Sequence, residues 1–279
     1  MNIAGSDMPV YAELAPGVRR LIAPNPSRMT GPGTNTYMFG KNDIAVLDPG
    51  PHKPEHTADI LKKAGGNIRW ILVTHTHPDH SPGVRSLARI TKAEVLGMVA
   101  PDGELQDTTF APDRVLADGD KLETDEFVIE AIHTPGHASN HLCYRHIKTD
   151  WLFTGDHIIE GSTVVINPPD GDMAHYLESL EKVKALRPRA LLPGHGDLID
   201  DPGGVIDWII EHRLEREAKV LAAVKKHPHL TTRQLVPIVY TDISEELYSW
   251  AERSLQAHLI KLEADLATTL ETGRWKLLE

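Results

Sequence analysis

The stretch Thr74-His-Thr-His-Pro-Asp-His-Ser-Pro-Gly83 sets His75, His77, Asp79 and His80 within six consecutive positions, directly after the apolar run Trp70-Ile-Leu-Val73. An apolar run of that length, ended by Pro and Gly, reads as a buried strand. Neutral imidazoles and a carboxylate left unpaired at the end of such a strand would cost several kcal/mol of desolvation each. A bound cation removes that cost. The stretch therefore predicts metal ligation, provided that other segments complete the ligand set.

Three other segments do. Thr134-Pro-Gly-His137, Thr154-Gly-Asp156 and Pro193-Gly-His195 each present one potential ligand just after an apolar run. Glycine precedes the ligand every time, as a sharp turn at a strand end requires. Five histidines and two aspartates are enough for two adjacent ions with one shared carboxylate and a bridging hydroxide. Imidazole and carboxylate donors suit two Zn²⁺, and iron or manganese are compatible.

The surrounding chain is an ordinary globular one. It has 279 residues, 41% hydrophobic and 25% charged, enough for a large unit and a small one. No apolar run approaches the roughly 20 residues of a membrane span, and the start Met1-Asn-Ile-Ala-Gly-Ser-Asp-Met-Pro9 lacks the basic and apolar pattern of a secretory signal. A cytoplasmic protein without a membrane partner is expected. The single cysteine, Cys143, excludes an intrachain disulfide and reads as a small buried residue. A net charge of −11 argues against a broadly basic nucleic-acid surface.

Strands are expected at 44–47, 70–73, 94–99, 127–132, 151–153 and 190–192, and another strand-like run begins at His141. Helices are expected at 54–64, stopped by Gly65-Gly66; at 82–90, with Ser81 as cap; and at 173–186, capped by Asp172. The order is mixed α/β. At Asp200-Asp-Pro-Gly-Gly204 the texture changes to helices: a long one whose apolar positions include Trp208, Ile209, Leu214, Leu221 and Val224, a short one capped by Thr231 or Thr232, and a third from Ser244 to about Ala267. A terminal hairpin turns at Thr272-Gly273, which makes a winged-helix candidate. The division expected is residues 1–203 for the catalytic unit and 204–279 for the winged one.

The order His75-x-His77-x-Asp79-His80, His137, Asp156, His195 resembles the metallo-β-lactamase superfamily. The resemblance covers residues ~15 to 200. It implies an αβ/βα sandwich of two mixed β-sheets flanked by helices, with the site along one edge. It also implies that His75, His77 and His137 hold one metal, that Asp79, His80 and His195 hold the other, and that Asp156 bridges. Asp79 could further accept the nucleophile's proton. Two ions about 3.5 to 4 Å apart would lower the pKa of a bridging water towards ~7.

Closer likeness lies in Gly33-Thr-Asn-Thr-Tyr37, Leu47-Asp-Pro-Gly50, Gly155-Asp-His157, Pro168-Pro-Asp-Gly-Asp-Met173 with Tyr176-Leu-Glu-Ser-Leu180, and His212-Arg-x-x-Arg-Glu217. These look like the lactamase-like endoribonucleases with a C-terminal winged helix, a branch bordering the hydroxyacylglutathione hydrolases. Single-stranded RNA hydrolysis is the leading expectation, and a small-molecule ester or thioester is the alternative substrate. A third possibility is a winged-helix DNA-binding regulator with weak β-lactamase side activity. Residues 200–279 carry 10 Lys and Arg against 14 Asp and Glu, so the winged unit fits packing or homodimerisation at least as well as nucleic-acid binding. His133, His141 and His157 are expected to support ligands by hydrogen bonds. Asp48 is read as orienting a histidine or as a plain turn former, and Asn35 and Tyr37 as lining the pocket or as strand residues.

Overall fold

In the computed structural model, which describes residues 8–278, two sheets face each other. The N-terminal stretch read for an export signal lies largely outside the described residues. The first sheet holds β1 (Tyr11–Ala15), β2 (Val18–Ile22), β3 (Asn35–Phe39), β4 (Asp43–Leu47), β5 (Asn67–Leu72), β6 (Glu94–Gly97) and β7 (Arg114–Val115), side by side in that order. β1 to β4 pair antiparallel, and β4 to β7 pair parallel. The second sheet holds β8 (Lys121–Glu123), β9 (Val128–His133), β10 (Leu142–His146), β11 (Trp151–Gly155) and β12 (Ala190–Pro193), with only β11 and β12 parallel.

Period-two alternation builds the layers. In β4, Ala45 and Leu47 enter the core between the sheets, while Ile44 and Val46 face outward against α1 (Pro54–Ala64) and α2 (Gly83–Thr91). In β10, Leu142 and Tyr144 point to the inner core, and Cys143 points to the layer under α3 (Met173–Leu186). The result is the expected αβ/βα sandwich. Cys143 is fully buried, and burial pushes its thiol up to about 12.

After the sandwich come α4 (Pro202–Lys226), α5 (Thr232–Val239), α6 (Tyr248–Ala264) and the hairpin β13 (Thr268–Glu271) and β14 (Arg274–Leu277). Thr272 and Gly273 both have positive φ, as a two-residue hairpin turn requires. These elements close their own core around Val224, Leu235, Leu255 and Trp275. α4 belongs to both units, since Ile206 and Ile209 pack under the second sheet and Val220 and Val224 in the winged core.

Three local expectations are corrected. Ser81 does not cap α2; its hydroxyl donates to Asp107 Oδ2 at 2.8 Å, and Pro82 occupies the cap position. On α4, Trp208 and Leu214 are exposed, and the buried stripe runs instead through Arg213 and Arg216, whose guanidiniums find interior partners. The strands β1, β2, β7 and β8 were outside the expected set. No helix among the described residues is long and apolar enough to cross a membrane.

Candidate metal centre

Strand ends from both sheets meet at one edge. β5 leads to His75, His77, Asp79 and His80; β9 leads to His137, β11 to Asp156 and β12 to His195. Two backbone hydrogen bonds stitch the sheets there, Leu142 N to Thr74 O and Asn35 N to Gly194 O, both 2.7 Å. The glycines are needed for close approach. A Cβ on Gly194 would lie 2.8 Å from both Asp156 Oδ1 and His80 Cε1, and one on Gly136, at φ +141, would lie 2.4 Å from Tyr176 Cα.

All seven residues converge, in two groups. One donor atom each of His75, His77 and His137 lies within 4.8 Å of the others, and the same holds for Asp79, His80, Asp156 and His195. Asp156 stands between them. Its Oδ1 is 3.3 Å from both His80 Nε2 and His195 Nε2, while its Oδ2 is 3.8 Å from His137 Nε2. Asp79 Oδ2 lies 3.1 Å from His195 Nε2 and 3.5 Å from His80 Nε2.

These residues fit a metal. His75 Nε2, His80 Nε2 and Asp156 Oδ1 are buried without a hydrogen-bond partner, although polar atoms crowd around them. Buried polar atoms are normally satisfied, so convergent orphans of nitrogen and oxygen type call for a cation. The charge states differ between the groups. Burial, reinforced by neighbouring histidines, holds His75 well below the usual imidazole range, and burial with His137 holds His77 down at about 3. In the other group burial is overcome: Asp79 and Asp156 raise His80 well above its ordinary value, and Asp156 raises His195 to about 9. Burial is likewise outweighed at the carboxylates, with His80 and His195 holding Asp79 at about 2 and Asp156 well below the usual carboxylate range. In this group the histidines and carboxylates face one another as opposite charges.

Outer partners fix the rings. Asp48 accepts from Thr74 N and Thr74 Oγ1 at 2.7 Å and pairs with His80 Nδ1 at 2.9 Å, so it orients a histidine as well as forming a turn. His137 Nδ1 donates to Val165 O at 2.8 Å, and His195 Nδ1 donates to Gly33 O at 3.3 Å. His141 Nε2 accepts from Asp156 N, and its ring stacks on His75 at 5.1 Å. His157 packs its buried ring against Tyr176, and His133 meets Ser139 O near the surface.

Asn35 and Tyr37 do lie on a strand, β3, but their side chains do more than pair it. Asn35 Nδ2 donates to Pro193 O and Gly196 O, and Tyr37 Oη donates to Pro193 O, so both hold the turn that presents His195. Arg20 was not singled out by sequence, and Tyr176 entered only within a stretch that carries the resemblance, with no role assigned. Arg20 is buried and pairs with Asp197 two residues beyond His195, and Tyr176 Oη donates to His157 O. Arginine in an amphipathic strand and tyrosine in a helix give no signal of such roles before the fold is known.

A two-sheet sandwich with a buried His and Asp constellation across its edge defines a metal-dependent hydrolase. The chain belongs to the Metallo-beta-lactamase superfamily, whose family model matches residues 29–195, and a Beta-lactamase associated winged helix domain matches residues 231–275. It is 32% identical to a Beta-lactamase-like protein 2 homolog of Drosophila melanogaster, over 92% of this chain and 91% of that one. It is 29% identical to an Atrochrysone carboxyl ACP thioesterase of Aspergillus fumigatus, over 78% of this chain and 68% of that one. A beta-lactamase domain protein from Burkholderia ambifaria has the same fold, with a TM-score of 0.82, 21% identity, and coverage of 96% of this chain and 93% of that one.

Proposed function

We propose that this hydrolase binds two divalent ions, zinc by preference, and cleaves thioesters of small acyl groups carried on a pantetheine-type arm. His75, His77 and His137 would hold one ion, Asp79, His80 and His195 the other, and Asp156 would serve both. The observation that carries the reading is the placement of Asp156, which turns one oxygen to each histidine group. Bound ions would acidify a water and polarise the scissile carbonyl. The protein's own part is positioning and proton handling. Asp79 is the more exposed of the group's two carboxylates and is held ionised by its histidine neighbours, and it would take the attacking water's proton. Asp48, Val165 O and Gly33 O keep the rings from turning away. Residues 1–203 would do this chemistry, with 204–279 as the attached winged unit.

Charge disfavours RNA, whose scissile phosphodiester is itself anionic, more than a thioester, whose scissile carbonyl is uncharged. The chain carries −11 overall, and the site loops carry Asp79, Asp107, Asp156, Asp170 and Asp197, while the buried Arg20 and Arg213 are engaged with Asp197 and Val164 O. The thioesterase name of one relative points the same way. The alternative, single-stranded RNA, rests on the winged helix domain match at residues 231–275. Zinc-loaded protein should turn over acyl-coenzyme A or acyl-pantetheine with kcat/KM above about 10⁴ M⁻¹s⁻¹. Turnover equal to buffer, together with RNA cleavage that an Asp79→Ala, His80→Ala double variant loses, would replace the thioester reading by the nuclease one.

A further inference from the structure

Residues Val164, Val165 and Ile166 form a strap of irregular backbone between β11 and α3. No strand ladder holds it, so its position is set by the groups that seize it from outside. His137 Nδ1 donates to Val165 O at 2.8 Å. Arg213 of α4 donates through Nη2 to Val164 O. Ile166 N donates to Ser254 Oγ of α6 at 3.4 Å. Val164 and Ile166 are buried in one apolar cluster with Ala257, also from α6.

The middle contact matters for chemistry. A carbonyl acceptor at Nδ1 keeps the proton there, so the lone pair stays on Nε2, which faces His77 Nδ1 at 3.0 Å and Asp156. Arg213 supports the same loop a second way. Its guanidinium lies 5.3 Å from the centre of the Tyr176 ring, and the Tyr176 backbone is the surface against which Gly136, next to His137, is pressed. Arg213 is 3% exposed and Ser254 7%, so neither faces solvent.

We propose that α4 and α6 position His137 through this strap, with Arg213 and Ser254 as positioning residues for the ion held by His75, His77 and His137. The winged region is then part of the metal centre's scaffold rather than an appended module. This rests on the two-ion reading above. It makes a selective claim, because the rings of the other group are held by Asp48 and Gly33 O, which the strap does not touch.

The test is competition of Zn²⁺ between a chromophoric chelator and the metal-stripped full chain, followed by Co²⁺ spectra of the loaded protein. Wild type should bind two ions. Arg213→Met should weaken one of them by about 10- to 100-fold and leave the other within about twofold, Arg213→Lys should recover most of the loss, and Ser254→Ala should weaken the same ion by about threefold. The cobalt spectrum should change for that ion alone. Ser254→Ala deletes one long hydrogen bond and keeps the packing, so it decides the matter if Arg213→Met does not fold. Both affinities unchanged in folded variants, or both reduced together with the melting temperature, would overturn the proposal. A wild type that takes up no ions would remove the two-ion reading itself, and this inference with it.

Discussion

Asp48 closes three hydrogen bonds with one carboxylate, to Thr74 N, Thr74 Oγ1 and His80 Nδ1, and so links the end of β4 to the loop that carries four of the seven candidate ligands. The candidate positions themselves were legible in the sequence, because histidine and aspartate after apolar runs, preceded by Gly in three of the four segments, have few other reasons to recur. Asp48 was legible only as one of two alternatives. Its residue type suits a turn, and its φ of 49° is a turn conformation, so the orienting role is visible only once Thr74 and His80 are brought beside it. Asp48→Asn keeps the size and tolerates the left-handed backbone, but it places an amide where one oxygen now accepts from Thr74 Oγ1 and His80. Zinc affinity of the group containing His80 should fall about 10- to 100-fold, with little change in melting temperature of the metal-free protein. Calorimetric titration of both proteins checks this, and equal affinities would reduce Asp48 to a turn former.

Elements with strong punctuation were legible, and elements whose partners come from far away were not. α1 begins at Pro54 and ends where Gly65 turns left-handed, as Pro and Gly at its ends imply. β2, Val18-Arg-Arg-Leu-Ile22, hides as a strand because two arginines look solvated. Arg20 is nevertheless buried on Asp197, and Arg19 donates to the carbonyls of Lys63, Ala64 and Gly40. α4 misled for the same reason: its buried stripe includes Arg213 and Arg216, and Arg216 is spent on Asp242 and Val239 O. The cap of α5 was narrowed to two threonines, and the one that serves is Thr231, which forms a reciprocal capping box with Gln234. Thr231→Ala should cost about 1 kcal/mol of stability. Because the hydrogen bonds of Thr231 stay within α5, kcat should stay as in wild type. Denaturant unfolding alongside a turnover assay separates the two effects, and a loss of activity without loss of stability would contradict the assignment of α5 to packing.

On the scale of the whole molecule, the sandwich also buries histidines outside the candidate ligand set. His56 on α1 is 1% exposed, and burial lowers it to about 4 despite Asp59 and Glu55 nearby. Thr36 Oγ1 gives its proton to Asp48 O, so His56 Nε2 must donate to Thr36, which places the neutral ring's one proton on Nε2. His146 is lowered to about 4 in the same way, by burial and then by Lys148. In the unfolded chain both titrate near 6.5. Between pH 6.5 and about 4 the unfolded state therefore takes up protons that the folded state refuses, and stability falls as pH falls; above 6.5 these groups contribute no slope. A shift of that size corresponds to about 3 kcal/mol for each group by the bottom of the window. His56→Gln retains an amide donor for Thr36 and removes one titrating ring. Urea unfolding of both proteins at several pH values across this window should show the wild type losing stability faster than the variant, by close to one proton's slope. Parallel curves would mean that His56 is protonated inside the fold, and that acid sensitivity has to be sought at the carboxylates of the metal centre, whose lowered values place their loss at still lower pH.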